Sequence, residues 1–346
     1  MAILPRFFTA PEDGFFRCDL CPHRCKPDAG SGGACRVRFN RQGSGAIPFY
    51  GFVTAMARDP VEKKPLYHYR PGSSILSVGF MGCNLRCPFC QNWHISQTSD
   101  ARGRLMSPEE LIAAAMQQEV PQIAYTYSEP LVHIEFLLDC MKAARKAGAA
   151  NVLVSNGCVN AEAAGAVLEL TDAANIDLKC FSEETYAKVL GGNLEAVLGF
   201  MRKAVEKGVH LEATTLVVPG LNDSEAELDN CADFIASLSK PRGSSGGTPE
   251  IPWHLSAYHR DWKWNAPPTN PAKLAAAAGR ARKKLAYVYT GNIAGEENET
   301  PCPACGAVLV RRRGFYVETP GLTLKQEQGR RRYYCAICGA DAPLKY

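Results

Sequence analysis

Three cysteines stand close together in one short stretch of the chain. Cys83, Cys87 and Cys90 have the spacing C-x3-C-x2-C, and Gly82 and Pro88 allow a tight loop around them. A loop this short can curl three thiolates around one small inorganic core. Three thiolates are one fewer than the irons of a [4Fe-4S] cluster, which usually has four cysteine ligands. The spacing therefore predicts a cluster with one open iron position, where a metal site can do chemistry; the alternative is three structural cysteines.

Two further cysteine groups have the spacing of metal ligands. The first, C-x2-C-x3-C-x9-C, fits either a tetrahedral zinc site or an auxiliary iron–sulfur cluster, with His23 as a substitute for one cysteine. The second consists of two C-x2-C-Gly knuckles, which are typical of a zinc ribbon, although a rubredoxin-like iron site has the same ligands. The first group is Cys18, Cys21, Cys25 and Cys35, and the second is Cys302, Cys305, Cys335 and Cys338.

The composition favours metal binding over disulfide bonds. The sequence has 346 residues, 15 cysteines and 46% hydrophobic residues. Its first residues lack a basic stretch followed by an apolar one, so we expect no export signal. No run reaches the ~18 apolar residues that a membrane helix needs. Cysteines in a chain without an export signal are more often metal ligands than disulfides. We therefore expect a cytoplasmic protein with zinc or iron–sulfur sites and no membrane contact.

The charge pattern gives only weak evidence for nucleic-acid binding. The net charge is +4, which is too small to indicate a nucleic-acid partner by itself. Two arginine triplets, at 311–313 and 330–332, lie near the end of the chain. A charge run is usually a solvated face, but these triplets could also meet an acidic partner surface or RNA. We hypothesise that this module lies beside the active site and recruits substrate.

Strand-like and helix-like runs alternate from residue 74 onward. Such repeats demand right-handed crossovers and a parallel sheet, with an active site at the carboxyl ends of the strands. The helix that follows Ser107 has an N-cap, a proline and a glutamate at the positions of a capping box. Predicted strands are 75–78, 122–127, 151–155, 174–178, 210–218 and 253–258. Predicted helices begin after residue 107 and cover 131–145, 161–170, 194–206, 224–238 and 270–284.

The fold class is therefore α/β, with three predicted parts. Residues 1–73 form a Cys-rich N-terminal segment, 74–295 a β/α barrel, and 296–346 a zinc-ribbon-like module. Residues 240–250, rich in glycine and serine, are predicted as a surface loop before the sixth strand. Six strand–helix units are too few for a complete eight-fold barrel.

The run Cys-Asn-Leu-Arg-Cys-Pro-Phe-Cys-Gln-Asn-Trp, which starts at Cys83, resembles the radical S-adenosylmethionine (SAM) superfamily. Within it, the run looks like the branch related to pyruvate formate-lyase activating enzymes. The most similar family over nearly the whole chain is the radical SAM member of the AmmeMemoRadiSam system, which is associated with Memo-like and AMMECR-type proteins. The resemblance implies a partial (β/α)6 TIM-like radical SAM barrel, a [4Fe-4S] cluster on Cys83, Cys87 and Cys90, and SAM as the ligand of the open iron.

The resemblance also implies which side chains hold SAM at the first strand ends. Phe89 is expected to lie against the adenine ring. Glu129 occupies the place of a Gly-Gly-Glu-Pro element that supports the SAM amino group, with Tyr-Ser in place of the two glycines. The alternative for Glu129 is an acidic residue in the first turn of a helix. On the fifth strand, either Thr214 or Thr215 should face the barrel interior.

Later strand ends complete the expected SAM site. Asn156 lies in an Asn-Gly turn that passes close to the cofactor in the family. Asp177 and Lys179 match an Asp-x-Lys element that contacts the ribose and the methionine carboxylate, and strand alternation puts both on one side. His254 matches a ribose-contacting histidine. The alternatives are a structural ion pair for Asp177 and Lys179, and an ordinary core histidine for His254.

The function implied is reductive cleavage of SAM to a 5′-deoxyadenosyl radical, which abstracts hydrogen from a substrate. The protein supplies position and excludes water, and no side chain need act as a general base. The electron would come from a donor such as flavodoxin or ferredoxin. The substrate would be a partner protein, as for glycyl-radical activases, and Memo-like or AMMECR-type proteins are candidates. The alternatives are an enzyme that modifies a small molecule or RNA, and a non-catalytic iron–sulfur redox sensor.

Overall fold

The computed structural model describes residues 5–9, 16–239, 250–327 and 329–346. Nearly all of the predicted loop at 240–250 falls outside these ranges. The strands are β1 Phe8–Thr9, β2 Arg17–Cys18, β3 Phe39–Arg41, β4 Ser44–Ala46, β5 Phe52–Pro60, β6 Ser74–Phe80, β7 Arg104–Leu105, β8 Gln122–Thr126, β9 Ala150–Ser155, β10 Ala173–Asp177, β11 His210–Val217, β12 Trp253–Ala257, β13 Val288–Gly291, β14 Glu297–Pro301, β15 Val308–Arg313, β16 Tyr316–Glu318, β17 Leu322–Glu327 and β18 Arg330–Cys335. The α-helices are α1 Trp93–Ser96, α2 Pro108–Gln117, α3 Ile134–Lys146, α4 Ala161–Leu168, α5 Glu183–Thr185, α6 Leu194–Glu206, α7 Glu225–Leu238 and α8 Pro271–Ala281. Val61–Lys63 and Pro130–His133 form 3-10 helices, and Tyr186–Leu190 forms a π-helix.

The central element is a nine-stranded sheet in the order β13-β12-β11-β10-β9-β8-β6-β5-β7. The seven strands from β6 to β13, without β7, pair in parallel, and β5 and β7 add an antiparallel edge. This confirms the α/β class with a mostly parallel sheet, and each of the six predicted strands is present. Sequence reasoning missed β13, which follows α8 and is only four residues long.

Local sequence signals explain where the helices begin. The Ser107 Oγ accepts the amide of Glu110, and the Glu110 carboxylate accepts the amide of Ser107, which confirms the predicted capping box at α2. Helices α6, α7 and α8 begin after side chains that accept an amide of the first turn. The six longer helices each bury apolar residues in the same core cluster as the sheet, so the core runs continuously along the barrel; these helices are α2, α3, α4, α6, α7 and α8.

Residues 61–73, called the plug below, close the amino-terminal end of the barrel. Val61, Leu66 and Tyr69 are buried together with apolar residues near the beginnings of β6, β8, β9 and β10. The Asn175 side chain donates to the Pro65 carbonyl at 2.7 Å, so this segment is bound to the middle of β10. The sheet and its plug therefore extend across the predicted boundary at residue 74, because β5 pairs with β6.

The C-terminal module packs against this plug. Its strands β14 to β18 enclose a small core of their own around Cys302, Leu309 and Cys335. The backbone of Lys345 exchanges hydrogen bonds with His68 and Arg70. These contacts lie at the amino ends of the parallel strands. The expectation that the C-terminal module lies beside the active site is therefore wrong. Among the described residues, no helix is long and apolar enough to span a bilayer.

Candidate functional site

A cavity of about 320 Å³ opens at the carboxyl ends of the parallel strands. This is the edge at which β/α barrels place their active sites, because the loops there can vary while the strands hold them. The size is within the range of pockets that bind small ligands and cofactors. Its walls include Cys83, Cys87, Phe89, Cys90, Asn156, Asp177 and Lys179. Seven of the nine residues predicted for the cluster and SAM therefore share one cavity.

The three-cysteine loop follows β6 and turns sharply at Gly82. The Cys83 sulfur accepts the Leu85 amide at 3.3 Å, and the Cys90 sulfur lies 3.2 Å from the Ser96 hydroxyl. Gly82 has φ +80°, and a Cβ there would lie 2.4 Å from the carbonyl oxygen of Cys35. Only glycine fits this close approach in the left-handed region. The loop is therefore shaped by local sequence and by the N-terminal segment packed on it.

The buried thiols are poor acids unless a cation compensates them. Burial raises the pKa of Cys83 well above its usual value, and the nearby Glu129 adds to the rise. Burial also raises the pKa of Cys87 to about 12, although Lys179 opposes the shift. Metal ligation requires the thiolate and supplies the missing positive charge. A metal centre bound here would therefore lower the pKa of these thiols.

Asp177 and Lys179 form an ion pair on the cavity wall. The Lys179 ammonium donates to the Asp177 carboxylate at 3.0 Å, and alternation along the end of β10 places Leu178 on the opposite side. Burial alone would lower the pKa of Lys179, but Asp177 and the neighbouring Cys87 outweigh it, so the pKa lies above its usual value. The lysine is therefore a permanent cation beside the cysteine loop.

Glu129 does not line the cavity. Its carboxylate is fully buried and accepts the Leu131 amide, the Ser155 hydroxyl and the Asn156 amide at 3.0, 2.7 and 2.8 Å. Burial raises the pKa of this carboxyl to about 7, and the three donors oppose the rise. In this arrangement Glu129 orients the turn after β9.

Asn156 is the residue through which Glu129 acts on the cavity. Its side-chain amide donates to Asn84 at 3.0 Å and lies 3.6 Å from the Cys83 sulfur. Its own Oδ1 accepts the Cys158 amide at 2.8 Å, which holds the Asn156 side chain in one orientation. The turn after β9 is therefore connected to the cysteine loop by side-chain contacts.

His254 lies outside the cavity, near the start of β12. Its Nε2 is 2.7 Å from the Glu212 carboxylate, and its ring stacks with Tyr289. Glu212 also accepts the backbone amides of Tyr67 and His68 from the plug segment. The structure does not bring His254 together with the other predicted SAM ligands, and its contacts match the alternative of a core histidine.

Sequence reasoning missed a second charged cluster on the cavity wall. Lys64 is almost fully buried and donates to Asp59 at 2.8 Å, with its ammonium 4.4 Å from the centre of the Tyr127 ring. The Tyr127 hydroxyl donates to the same carboxylate at 2.6 Å. Lys64 and Asp59 precede the predicted barrel in the sequence, so only tertiary packing brings Lys64 to the cavity wall. The sequence held one signal of this cluster, since Tyr127 stands where the family has a glycine. In the structure Tyr127 has φ +72°.

Thr214 presents a free hydroxyl to the cavity. Its Oγ1 is buried and has no hydrogen-bond partner among the described residues. Thr215 instead donates to the Leu178 carbonyl at 2.7 Å, so Thr214 is the member of the pair that faces inward. A buried polar atom without a partner is rare in proteins, and a bound ligand would explain this one.

The C-terminal cysteines converge on a single point. Cys302 and Cys338 have sulfurs 3.7 Å apart, as do Cys305 and Cys335, and all four sulfurs lie within 4.8 Å of one another. A tetrahedral zinc ion with Zn–S bonds of about 2.3 Å separates its ligand sulfurs by about 3.8 Å. The geometry therefore fits one tetrahedral metal ion.

The N-terminal cysteines form a separate buried group. Cys18, Cys21 and Cys35 are buried and Cys25 is half-buried. The Nε2 of His23 lies 2.7 Å from the Asn84 carbonyl, so this histidine is engaged with the cysteine loop of the barrel.

A partial parallel barrel with a three-cysteine loop at its carboxyl edge defines a class of enzyme built around an open iron–sulfur cluster. The family model of the radical SAM superfamily matches residues 78–231. A protein of Methanocaldococcus jannaschii, described as uncharacterised, is 38% identical over 96% of this chain and 96% of its own length. The chain belongs to the radical SAM superfamily and is an enzyme of that class. Membership implies a [4Fe-4S] cluster and SAM as its cofactors.

Two further proteins are similar to this chain. The pyruvate formate-lyase 1-activating enzyme of Escherichia coli is 26% identical over 57% of this chain and 79% of that enzyme. A crystal structure of Streptococcus suis SuiB bound to precursor peptide SuiA superposes with a TM-score of 0.50 at 11% identity, covering 67% of this chain and 51% of that one. The first supports the resemblance to activating enzymes, and the second is a likeness of fold alone.

Proposed function

We propose that this protein takes a hydrogen atom from a partner protein after cleaving SAM at the cluster held by Cys83, Cys87 and Cys90. The observation that carries the proposal is that the three cysteines share one cavity with Asp177 and Lys179. When bound, the reduced cluster supplies one electron to the SAM sulfonium, and cleavage gives methionine and the 5′-deoxyadenosyl radical. A flavodoxin or ferredoxin is the proposed electron donor.

The chain's own residues bind and orient the cofactor. Lys179 provides a fixed positive charge suited to the methionine carboxylate, and Asp177 provides acceptors suited to ribose hydroxyls. Phe89 is almost fully buried on the wall and offers an apolar face for the adenine. The inward hydroxyl of Thr214 is a further donor. Glu129 supports this site indirectly, since its carboxylate holds the Asn156 turn in place.

A feature of the cavity entrance favours a protein substrate. Trp93 is 41% exposed and stacks on Trp262, with ring centroids 6.4 Å apart and an angle of 6° between the planes. Trp93 follows Gln91 and Asn92, which line the cavity. Exposed tryptophans are enriched at the centres of protein interfaces, where they contribute much of the binding energy. This pair is placed where a partner could dock while one of its residues enters the cavity.

The RNA alternative loses its main support. Arg312 is buried, and Arg311 and Arg313 pair with Glu299 and Glu297 at 2.8 and 2.7 Å. The first arginine triplet therefore does not form a free positive face. The module that carries both triplets also lies at the barrel end opposite the cavity.

The test is deuterium transfer under anaerobic conditions. The reconstituted enzyme, a reductant and SAM are incubated with fractions of a deuterium-labelled lysate, and 5′-deoxyadenosine is analysed by mass spectrometry. We expect deuterium transfer from the macromolecular fraction, abolished by protease and resistant to ribonuclease. Memo-like and AMMECR-type proteins are the first purified candidates to add.

The control is the triple variant C83A/C87A/C90A, which should form no 5′-deoxyadenosine. Retained formation would remove the proposed cluster site. Transfer from the low-molecular-weight filtrate would show a small-molecule substrate, and sensitivity to ribonuclease would show RNA. Either result would contradict the proposed protein substrate.

A further inference from the structure

The three cysteine groups differ in how closely their sulfurs approach. Among the residues that the structure describes, the C-terminal four form the only group of three or more potential ligands whose atoms all lie within 4.8 Å. The barrel triad lies outside that limit, and so do the N-terminal Cys18, Cys21, Cys25 and Cys35. A single tetrahedral ion needs sulfurs about 3.8 Å apart. A four-iron cluster needs them further apart, because its own atoms lie between them.

The N-terminal sulfurs nevertheless belong to one site. Residues 33–38, which include Cys35, contact two of the other sulfurs, because the Ala34 amide donates to the Cys25 sulfur and the Arg38 Nε donates to the Cys18 sulfur. The backbone amide of Cys18 donates to the Cys25 carbonyl at 2.9 Å, which closes the first loop of the group. The four cysteines therefore belong to one cluster, but their sulfurs are not all within the 4.8 Å that holds for the C-terminal ribbon.

Hydrogen-bond donors surround these sulfurs. The Arg38 Nε donates to the Cys18 sulfur at 3.3 Å, and the Ala34 amide donates to the Cys25 sulfur at 3.4 Å. Donors to ligand sulfur are one of the ways in which proteins stabilise iron–sulfur clusters.

The Arg38 guanidinium beside Cys18 is held in place by buried contacts. The Arg38 guanidinium is 2% exposed and forms two hydrogen bonds with the Glu135 carboxylate, at 2.7 and 3.0 Å. Glu135 lies in the first turn of α3, so the N-terminal group is tied to the barrel by a buried ion pair. A guanidinium N–H directed at a sulfur suits a thiolate ligand of a metal centre.

We propose that Cys18, Cys21, Cys25 and Cys35 bind a second [4Fe-4S] cluster, with one cysteine on each iron. This assignment decides between zinc and iron–sulfur, which the spacing in the sequence left open. A cluster with four protein ligands has no open iron, so it does not bind SAM. Its place is beside the barrel triad, since Gly82 packs against the Cys35 carbonyl and His23 contacts the Asn84 carbonyl.

The test is metal and sulfide analysis of the full chain, reconstituted anaerobically with iron and sulfide. We expect about eight irons, about eight sulfides and about one zinc per chain. The triad variant C83A/C87A/C90A should retain about four irons and four sulfides. Replacing Cys18, Cys21, Cys25 and Cys35 with alanine should also leave about four of each, on the barrel triad. A wild-type protein with about four irons and two zinc ions would overturn the proposal.

Spectroscopy of the triad variant provides a second test, which remains valid if the N-terminal variant fails to fold. The triad variant keeps all four N-terminal cysteines, so its Mössbauer spectrum should show a [4Fe-4S] cluster that SAM leaves unchanged. In the fully reduced wild-type protein, the electron paramagnetic resonance spectrum should show magnetic interaction between two neighbouring clusters. Absence of an iron–sulfur signal in the triad variant would contradict the second cluster. This outcome is independent of the proposed function, which depends on the barrel triad alone.

Discussion

At the residue scale, the ion pair between Asp177 and Lys179 on the cavity wall can be tested by substitution. Replacing Lys179 with alanine removes a half-buried cation and leaves Asp177 without its partner. We expect SAM binding to weaken by about 1–3 kcal/mol, which is the cost of losing a charged hydrogen bond. This corresponds to an increase in Kd of about 5- to 150-fold. Equilibrium SAM binding to the anaerobic holoprotein measures it, and the iron–sulfur absorption spectrum should be unchanged.

A matched control for this variant is Lys188→Ala. Lys188 is exposed and pairs with Glu184 at 2.8 Å, so its loss removes a similar ion pair away from the cavity. Its SAM affinity should equal that of the wild type. Equal affinity in the Lys179 variant as well would mean that Asp177 and Lys179 are only a structural pair.

Residues at the same strand edge differ in whether they face the ligand. Glu129 and Asn156 stand at neighbouring strand ends, yet only Asn156 lines the cavity. The Glu129 carboxylate already accepts three hydrogen bonds from the protein. A direct role in SAM binding stays a prediction for Glu129, while its contacts give it a positioning role. At the residue scale, the hydrogen-bond partners separate these two roles.

At the scale of elements, the cysteine loop depends on its glycine. Gly82→Ala introduces a methyl group 2.4 Å from the Cys35 carbonyl, at a residue with φ +80°. We expect about 1–2 kcal/mol of backbone strain and a further ~1–3 kcal/mol from overpacking. Since the loop connects the barrel triad to the N-terminal group, iron content per chain should fall. Iron and sulfide analysis with thermal unfolding checks both effects.

Gly148→Ala isolates the backbone contribution. Gly148 has φ +75°, and a Cβ there would meet no atom within 4 Å. This control should lose only the strain of the left-handed conformation and keep its full iron content. If both variants lost the same stability and kept the same iron content, the contact with Cys35 would be unimportant.

The plug segment is a second element whose role goes beyond packing. It fills the amino-terminal half of the barrel and also places Lys64 on the cavity wall. Lys64 and Lys63 both pair with Asp59, so two cations share one carboxylate. The same segment therefore connects the C-terminal module, the barrel interior and the candidate active site.

At the scale of the whole molecule, the C-terminal module acts as a clamp on the plug. Arg312 is fully buried and donates to Thr300 at 2.9 Å and to the Tyr67 carbonyl, with Glu62 at 3.8 Å. Arg312→Met leaves the Glu62 carboxylate buried without a cation. We expect the free energy of unfolding to fall by about 3–5 kcal/mol. Urea unfolding of the anaerobic holoprotein measures this loss.

The neighbouring residue provides the control. Arg313 pairs with Glu297 at 2.7 Å, but both side chains are more than half exposed. Arg313→Ala should cost less than about 1 kcal/mol, because exposed ion pairs are screened by solvent. Similar losses in the two variants would show that the buried pair does not join module and barrel. Zinc analysis of both variants confirms that the ribbon stays intact.

Much of the fold was decided by short-range patterns in the sequence. The six predicted strands, the capping box at Ser107 and the three-cysteine loop depend on residues within a few positions of one another. Asp177 and Lys179 were predicted to share a side because strand alternation is local geometry. The place of the site at the carboxyl edge followed from the parallel topology. These features needed no knowledge of long-range contacts.

Only the tertiary structure decided which distant residues meet. Lys64 reaches the cavity wall because the plug packs inside the barrel, and His254 is held away from the cavity by its hydrogen bond with Glu212. Arg312 stands in a basic triplet, yet it is buried because β15 packs on the plug, where Arg312 donates to the Tyr67 carbonyl. The spacing of the N-terminal sulfurs likewise depends on how that segment packs on the barrel. Each of these depends on contacts between segments far apart in the chain, which no local pattern encodes.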